Sequence, residues 1–219
     1  MSVNLSKGQK VSLEKSNGNS LKEFCVGANW GAIEIKGGLF GLGKKIVNVD
    51  LDLSCILLDK EKNLVDFIYS PLYREDILQN FNLPKGKLQT NDYAMKHSGD
   101  DTQGDSGGDD GLDNEVITVD LQKIRGNITD IYFFLNNVGK EDFSEIPYAN
   151  IRMYEGTPTK VKSVFASYNV SSESKYKNNR AMILGKLTKT KSGWEFVAIG
   201  DPTEDVFLGQ TIHRIVTQY

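Results

Sequence analysis

The chain has 219 residues, is 39% hydrophobic and 25% charged, and carries a formal net charge of −3. These values suit one large all-β domain, or two small ones, of an ordinary soluble globular protein. No apolar run approaches the ~20 residues that a membrane-spanning helix needs. The opening "MSVNLSKGQKVSLEK" shows no apolar signal core, and Ser2 stands where N-myristoylation needs Gly.

Taken in chain order, the sequence predicts short strands separated by Gly, Asn and Ser turns. "QKVSLE" (9–14) alternates, and "KEFCVGANW" (22–30) places Phe24, Val26 and Ala28 on one face. The Gly-rich "KGGLFGLGKK" (36–45) reads as a loop, with Leu39, Phe40 and Leu42 tucked onto the core rather than forming a partner-binding tip. "IVNVDLDLSCILLD" (46–59) is the longest strand-like run, followed by "LVDFIY" (64–69) and an irregular excursion over 71–92. Further strands are expected at 115–121, 130–138, 149–155 and 160–170, and a closing hairpin at 179–190 and 194–200 turns at Gly193. Helical turns are expected at 120–127 and 140–147, and a C-terminal segment over 203–219 with Thr203 as its cap. The whole predicts an all-β fold, a β-sandwich of two mostly antiparallel sheets with a few short helices, as a single domain over 1–219. Cys25 and Cys55 lie in apolar strands and are read as buried free thiols of a reducing cytoplasm.

One stretch departs from this ordinary composition. Between Gly99 and Glu115 lie seven acidic residues (Asp100, Asp101, Asp105, Asp109, Asp110, Asp113 and Glu115), five glycines, and no Lys or Arg. Removing those seven from the 29 acidic residues leaves 22 against 26 basic ones, so the acidity is local and marks a site. Seven like charges in water favour a disordered loop. A hard cation reverses the balance: Ca2+ takes 6–8 oxygen ligands and accepts carboxylates together with backbone carbonyls, whereas Mg2+ demands stricter octahedral geometry. Zn2+ asks for His or Cys, and only His97 borders the loop. In "VDLDLS" (49–54), strand alternation sets Asp50 and Asp52 on one face and Leu51 and Leu53 on the other. Read alone, the two aspartates are either a solvated outer face or a rigid floor beneath cations wrapped by the loop. No register from Asp100 to Asp113 matches an EF-hand, and "GGDDGLDNE" (107–115) is at most one imperfect copy of a calcium β-roll repeat.

These pieces together resemble the TerD-type tellurium-resistance and stress-protein family. "MSVNLSKGQKVSL" is similar to that family's opening, and "VGANW" (26–30) to its V-G-L-G-W-D segment. "VDLDLSCILLD" (49–59) is similar to its F-D-L-D-A-S strand. "HSGDDTQGDSGGDDGLDNEVITVDL" (97–121) resembles its H-T-G-D-N-x-T-G-x-G-x-G-D-D-E loop. "ANIRMYE" (149–155) and "MILGKLTKTKSGWEFVAIG" (182–200) match its closing strands. The resemblance spans nearly the whole chain and implies a β-sandwich that binds two Ca2+ ions, cytoplasmic and bacterial in type, linked to tellurite resistance and general stress. Carried onto this chain, it implies Asp50 and Asp52 as strand ligands and Asp100, Asp101, Asp109, Asp110 and Glu115 as loop ligands. Asp105 stands where the family usually has Glu, Asp101 where Asn is common, and Gly31 where an Asp follows the Trp. "GLDN" (111–114) extends the loop by four residues, and Asp113 within it is either an added ligand or solvated.

Other chemistry has little support. His97 and His213 are the only histidines, and no Ser–His–Asp or Cys–His pattern emerges. "GLFGLGKK" (38–45) has Lys45 where a phosphate loop needs Ser or Thr for Mg2+. The basic residues are scattered, leaving no nucleic-acid footprint. The expectation is therefore a non-enzymatic calcium-binding stress protein, cytoplasmic or peripheral to the inner face of the membrane, acting with protein partners in a stress-response complex. The alternative is a calcium-dependent lectin-like or membrane-surface module.

Overall fold

A computed structural model describes residues 3–4, 7–13, 21–36, 43–169 and 174–219. The strands are β1 (Val3–Asn4), β2 (Lys10–Ser12), β3 (Glu23–Trp30), β4 (Ile33–Lys36), β5 (Lys44–Val47), β6 (Leu51–Leu58), β7 (Leu64–Ile68), β8 (Met95–His97), β9 (Glu115–Asp120), β10 (Asp130–Asn137), β11 (Ala149–Thr157), β12 (Lys160–Asn169), β13 (Ala181–Thr190) and β14 (Gly193–Thr203). The helices are α1 (Glu75–Gln79) and α2 (Leu208–Gln218). One six-stranded sheet runs β1-β12-β11-β3-β9-β8, the other β2-β14-β13-β10-β6-β7, and β4 and β5 form a separate hairpin. All pairings are antiparallel except β1 with β12. This is the β-sandwich that the strand pattern predicts.

Alternation along the strands builds the core. Phe24, Val26, Ala28 and Trp30 of β3 face Leu51, Leu53, Cys55 and Leu57 of β6 and Ile131, Phe133 and Leu135 of β10 in one cluster between the sheets. The intervening residues of the second sheet are buried as well. Ile56, Leu58, Tyr132, Phe134 and Ile183 pack beneath Leu78 of α1 and Leu208, Ile212 and Ile215 of α2. The second sheet is thus covered on both faces, which explains why all of β6 is buried. Asp52 belongs to this outer, helix-covered face, and Leu51 and Leu53 to the inner one. Both cysteines are free and buried.

Several expectations are corrected by hydrogen bonding. The run 46–59 is split: Ile46 and Val47 belong to β5, which pairs with β4, and β6 begins at Leu51. The segment read as a loop at 36–45 therefore carries strand at both ends, while Leu39, Phe40 and Leu42 lie outside the described residues. Residues 120–127 and 140–147 form turns and no helix. In the first, the Asp120 carboxylate accepts from Gln122 N–H and so competes with helical bonding. Thr203 does not cap α2. It ends β14 paired with Ala181, and its hydroxyl donates to Asp205. The helix starts five residues later, where Gln210 Oε1 accepts from the N–H groups of Val206 and Phe207.

Helix α2 is held by Asp205, whose buried carboxylate takes both Arg214 Nε (2.9 Å) and Nη2 (2.7 Å). Removing the guanidinium leaves a buried charge short of partners. Arg214→Ala is expected to lower stability by about 2 kcal/mol, and adding Asp205→Ala should recover part of that loss. Urea unfolding of both variants checks this. Equal or greater loss in the double variant would show that the pair contributes through packing alone.

Candidate metal centre

The acidic loop joins β8 to β9 at the edge of the first sheet, where the sandwich opens. It turns on its glycines: Gly99, Gly104, Gly107, Gly108 and Gly111 all have φ between +71° and +122°. Gly104 is doubly constrained, since a Cβ there would stand 2.7 Å from the Trp30 indole.

The loop is fastened to the end of β3. Asp105 N–H donates to Trp30 O (2.9 Å) and Ala32 N–H to Asp105 O (2.8 Å), a short parallel bridge across Gly31. Trp30 Nε1–H donates to Val49 O, and Val49 N–H to Gln103 O, which brings the chain leading into Asp50 under the loop. Asn114 Oδ1 accepts from Trp30 N–H, while its Nδ2 donates to Asp101 Oδ2 (3.3 Å) and Asp105 Oδ1 (3.1 Å). Asn29 Nδ2 and Tyr148 Oη also donate to Asp105 Oδ2. Asp101 accepts from the N–H groups of Gln103 and Gly104, Asp109 from Gly111, and Asp110 from Leu112.

Glu115 opens β9 facing the same interior as Ile117 and Val119, and is fully buried. Beyond Cys55, β7 no longer flanks β6. The Leu53 N–H freed there donates to Glu115 Oε2 at 2.7 Å, and Asp101 N–H donates to Oε1 at 3.1 Å. His97 Nδ1 accepts from Gly99 N–H, so a neutral imidazole carries its proton on Nε2 and directs it at Glu115 Oε2, 3.3 Å away. Both imidazole nitrogens are occupied.

Two groups of carboxylates result. Asp52, Asp100 and Glu115 present oxygens within 4.8 Å of one another, as do Asp105, Asp109 and Asp110. The first joins a strand, the start of the loop and its end; the second lies wholly within the loop. Asp50 sits beside the first group with Oδ1 buried and unpartnered. Asp101 touches it through Glu115. Asp113 enters neither group. It turns to Arg152 of β11, whose Nε donates to Oδ1 at 2.7 Å and whose Nη2 donates to Gly111 O. A Cβ on Gly27 would overlap Asp113, so that glycine makes room for this ion pair. Gly31 likewise leaves no space for a side chain, since its Cβ would meet the Tyr148 ring at 2.6 Å.

The electrostatics show the strain of this crowding. Burial, then Asp100, Glu115 and Asp101, push the Asp50 carboxyl up to about 6. Burial and Glu115 hold Asp52 well above the carboxylate range, opposed by the Tyr73 hydroxyl, itself shut off from solvent. Glu115 is raised by burial and pulled back by His97 and the two N–H donors. Among the described residues, no Lys or Arg forms an ion pair with either group. The donors are all oxygen, drawn from carboxylates on glycine-hinged backbone. That chemistry fits Ca2+, and the engaged imidazole of His97 does not offer a zinc ligand.

Sequence reasoning named every carboxylate of the two groups and missed the neutral residues around them: Asn29, Asn114 and Tyr148, which bond to the loop, and Tyr73, which lies beside Asp52. Asn114 had a signal, as the polar end of the "GLDN" extension. The others lie at strand ends or in the excursion after β7, where pattern carries no hint of a partner.

Fold and site together define a class: a two-sheet β-sandwich closed at one end by an acidic, glycine-rich loop. The family model of the TerD domain matches residues 1–219, and the chain belongs to that family. The stress response protein SCP2 of Bacillus subtilis (strain 168) is 30% identical over 227 residues, which covers 99% of this chain and 100% of that one. The tellurium resistance protein TerZ of Serratia marcescens is 28% identical, covering 90% of this chain and 89% of its own. In three dimensions the chain shares the fold of a telluride-resistance protein homologue from Streptomyces coelicolor, with a TM-score of 0.56 at 13% identity over 85% of this chain and 92% of that one. Through these members the family is linked to tellurium resistance and the stress response.

The raised Asp50 carboxyl gives a pH signature for the cation-free protein. Its folded value of about 6 exceeds the unfolded one of ~3.9. The destabilisation is therefore complete above pH ~6 and is relieved as pH falls toward ~4, because the folded state takes up the proton first. In chelator, the melting temperature of the wild type should rise on acidification through this window more steeply than that of Asp50→Asn. Calorimetry across the window reads both, and identical slopes would overturn the assignment.

Proposed function

We propose that this protein is a non-enzymatic, calcium-binding member of the stress response, in which Ca2+ orders residues 98–115 against the strand carrying Asp52 and presents a rigid surface to protein partners. The observation that carries this reading is the pair of carboxylate groups without a cationic counterpart among the described residues, the first anchored on a strand side chain only 4% exposed. Asp52 and Glu115 are buried with Asp100 exposed beside them, and burying two like charges this closely is unfavourable unless a cation neutralises them; the second group is more open to solvent. The association with tellurium resistance rests on the family; the residues here supply a cation site and no chemistry toward tellurite. Cytoplasmic action, with peripheral association at a membrane, belongs to this proposal; no helix among the described residues is long and apolar enough to cross a membrane.

Calcium titration by calorimetry is expected to give two binding events. At free Ca2+ about 100-fold above Kd, stability should rise by about 2.7 kcal/mol per site. Absence of heat, and of any change in the loop's NMR resonances at millimolar Ca2+, would sink the reading. The double change of Asp50 and Asp52 to Asn should weaken binding most, because those groups are preorganised.

A separate expectation concerns Asp52 alone. Asp52→Asn removes a buried charge from a repulsive cluster, so the cation-free protein should melt higher while calcium affinity falls at least about tenfold, or about 1.4 kcal/mol. Loss of stability in chelator would show that the carboxylate serves the fold instead.

A further inference from the structure

Asp52 is buried on the outer face of the second sheet, and most of the polar groups near it are acceptors. Asp100 and Glu115 are carboxylates of its own group, and Asp50 lies two residues before it in the chain. Asn136 is its cross-strand neighbour and spends Nδ2 on the Thr211 hydroxyl (2.9 Å), which leaves Oδ1 buried and unpartnered. Ser54 Oγ, two residues along the same face, is buried and unpartnered as well. A donor comes from Tyr73. Its hydroxyl lies beside the Asp52 carboxylate, shut off from solvent, and makes no hydrogen bond of ordinary geometry. A buried phenol with its proton uncommitted calls for an explanation.

Tyr73 is delivered by the excursion after β7 and not by a strand of the sandwich. Its ring stands edge-on to Tyr69, with 6.4 Å between centroids, and packs against the cluster that holds Ile56, Phe134 and Leu78. Its N–H points to Ser70 O at 3.5 Å, and Leu72 N–H donates to Ser70 Oγ (3.2 Å), so the chain turns here and runs on into α1. That helix is five residues long, its N-terminus has no side-chain cap, and Leu78 is its buried residue. A short, uncapped helix sits at the low end of local stability, so the contacts beneath it decide how firmly it is seated.

We infer that Tyr73 is a positioning residue for the first carboxylate group, its hydroxyl donating to Asp52 so that cation binding and the seating of α1 on the sheet are coupled. The coupling rests on the calcium reading given above. With Asp52 held still by a cation, its carboxylate becomes a fixed acceptor, and Tyr73 completes its bonding there. Linkage makes the effect reciprocal: the factor by which the bound ion steadies α1 is the factor by which a seated Tyr73 raises affinity. Tyr73→Phe keeps the ring and its packing and removes the donor alone.

Amide hydrogen exchange and calorimetry on the full chain test this, with Ca2+ itself as the probe and a chelator as the reference. In the wild type, Ca2+ is expected to slow exchange about fivefold at the Leu78, Phe81 and Leu83 amides, whose hydrogen bonds close α1 and the turn after it. Tyr73→Phe should lose that gain, keep the protection of the loop amides, and bind one of the two ions about fivefold more weakly. A side chain that only packs would lower α1 protection equally in Ca2+ and in chelator and leave affinity alone, and that result would overturn the inference. Asp52→Asn should abolish the same gain at α1 on its own. Protection that persists in this variant would show that α1 senses the ion by another route, which also defeats the inference. Absence of heat in the wild type would remove the calcium reading and the coupling with it, whereas heat unaltered by Tyr73→Phe would remove the coupling alone. Circular dichroism confirms that each variant is folded.

Discussion

A single buried carboxylate, Glu115, ties the parts of this molecule together. It begins a strand of one sheet, accepts the N–H of Leu53 in the other, receives the first turn of the loop through Asp101, and is met by His97. Each of these donors offsets part of the penalty of burying the charge, and none removes it, since the carboxyl remains raised. The loop's starting point, its end and the strand with Asp52 therefore converge on one oxygen pair. Were Glu115 merely a surface acid, the loop would lose its tie to Leu53 of β6.

The fold was largely legible because alternation is a strong signal where a sheet separates two environments. Phe24, Val26 and Ala28 sit on one face as their spacing predicts, and Gly193 turns the closing hairpin with φ of +134°. Legibility fails where a side chain, rather than a pattern, sets the boundary. Thr203 looked like a helix cap, but its ladder pairing and its bond to Asp205 commit it to the strand. The 46–59 run looked continuous because Val47 and Val49 continue the apolar rhythm across a change of sheet partner. Period alone does not report which strand lies alongside.

The site shows the same division. Carboxylates without basic neighbours stand out in a sequence, so the acidic members of both groups were nameable. Asp113 was the ambiguous one, and its fate depends on Arg152, distant in sequence and brought near only by the pairing of β11 with β3. The "GLDN" extension thus contains an ion pair to the body through Asp113 and a pin to Trp30 through Asn114. What looked like an interruption of the acidic pattern is the loop's second fastening.

The glycines of the loop differ in what surrounds them. Gly104 is pressed against the Trp30 ring, whereas Gly107, Gly108 and Gly111 have open space where a side chain would stand. The tip therefore has room for side chains that its left-handed turns alone disfavour, and the base has none. Asp105 is anchored at that base while Asp109 and Asp110 ride on the tip. The two carboxylate groups are consequently held unequally: the first is locked into the sandwich, and the second joins an anchored Asp105 to two aspartates on an open tip.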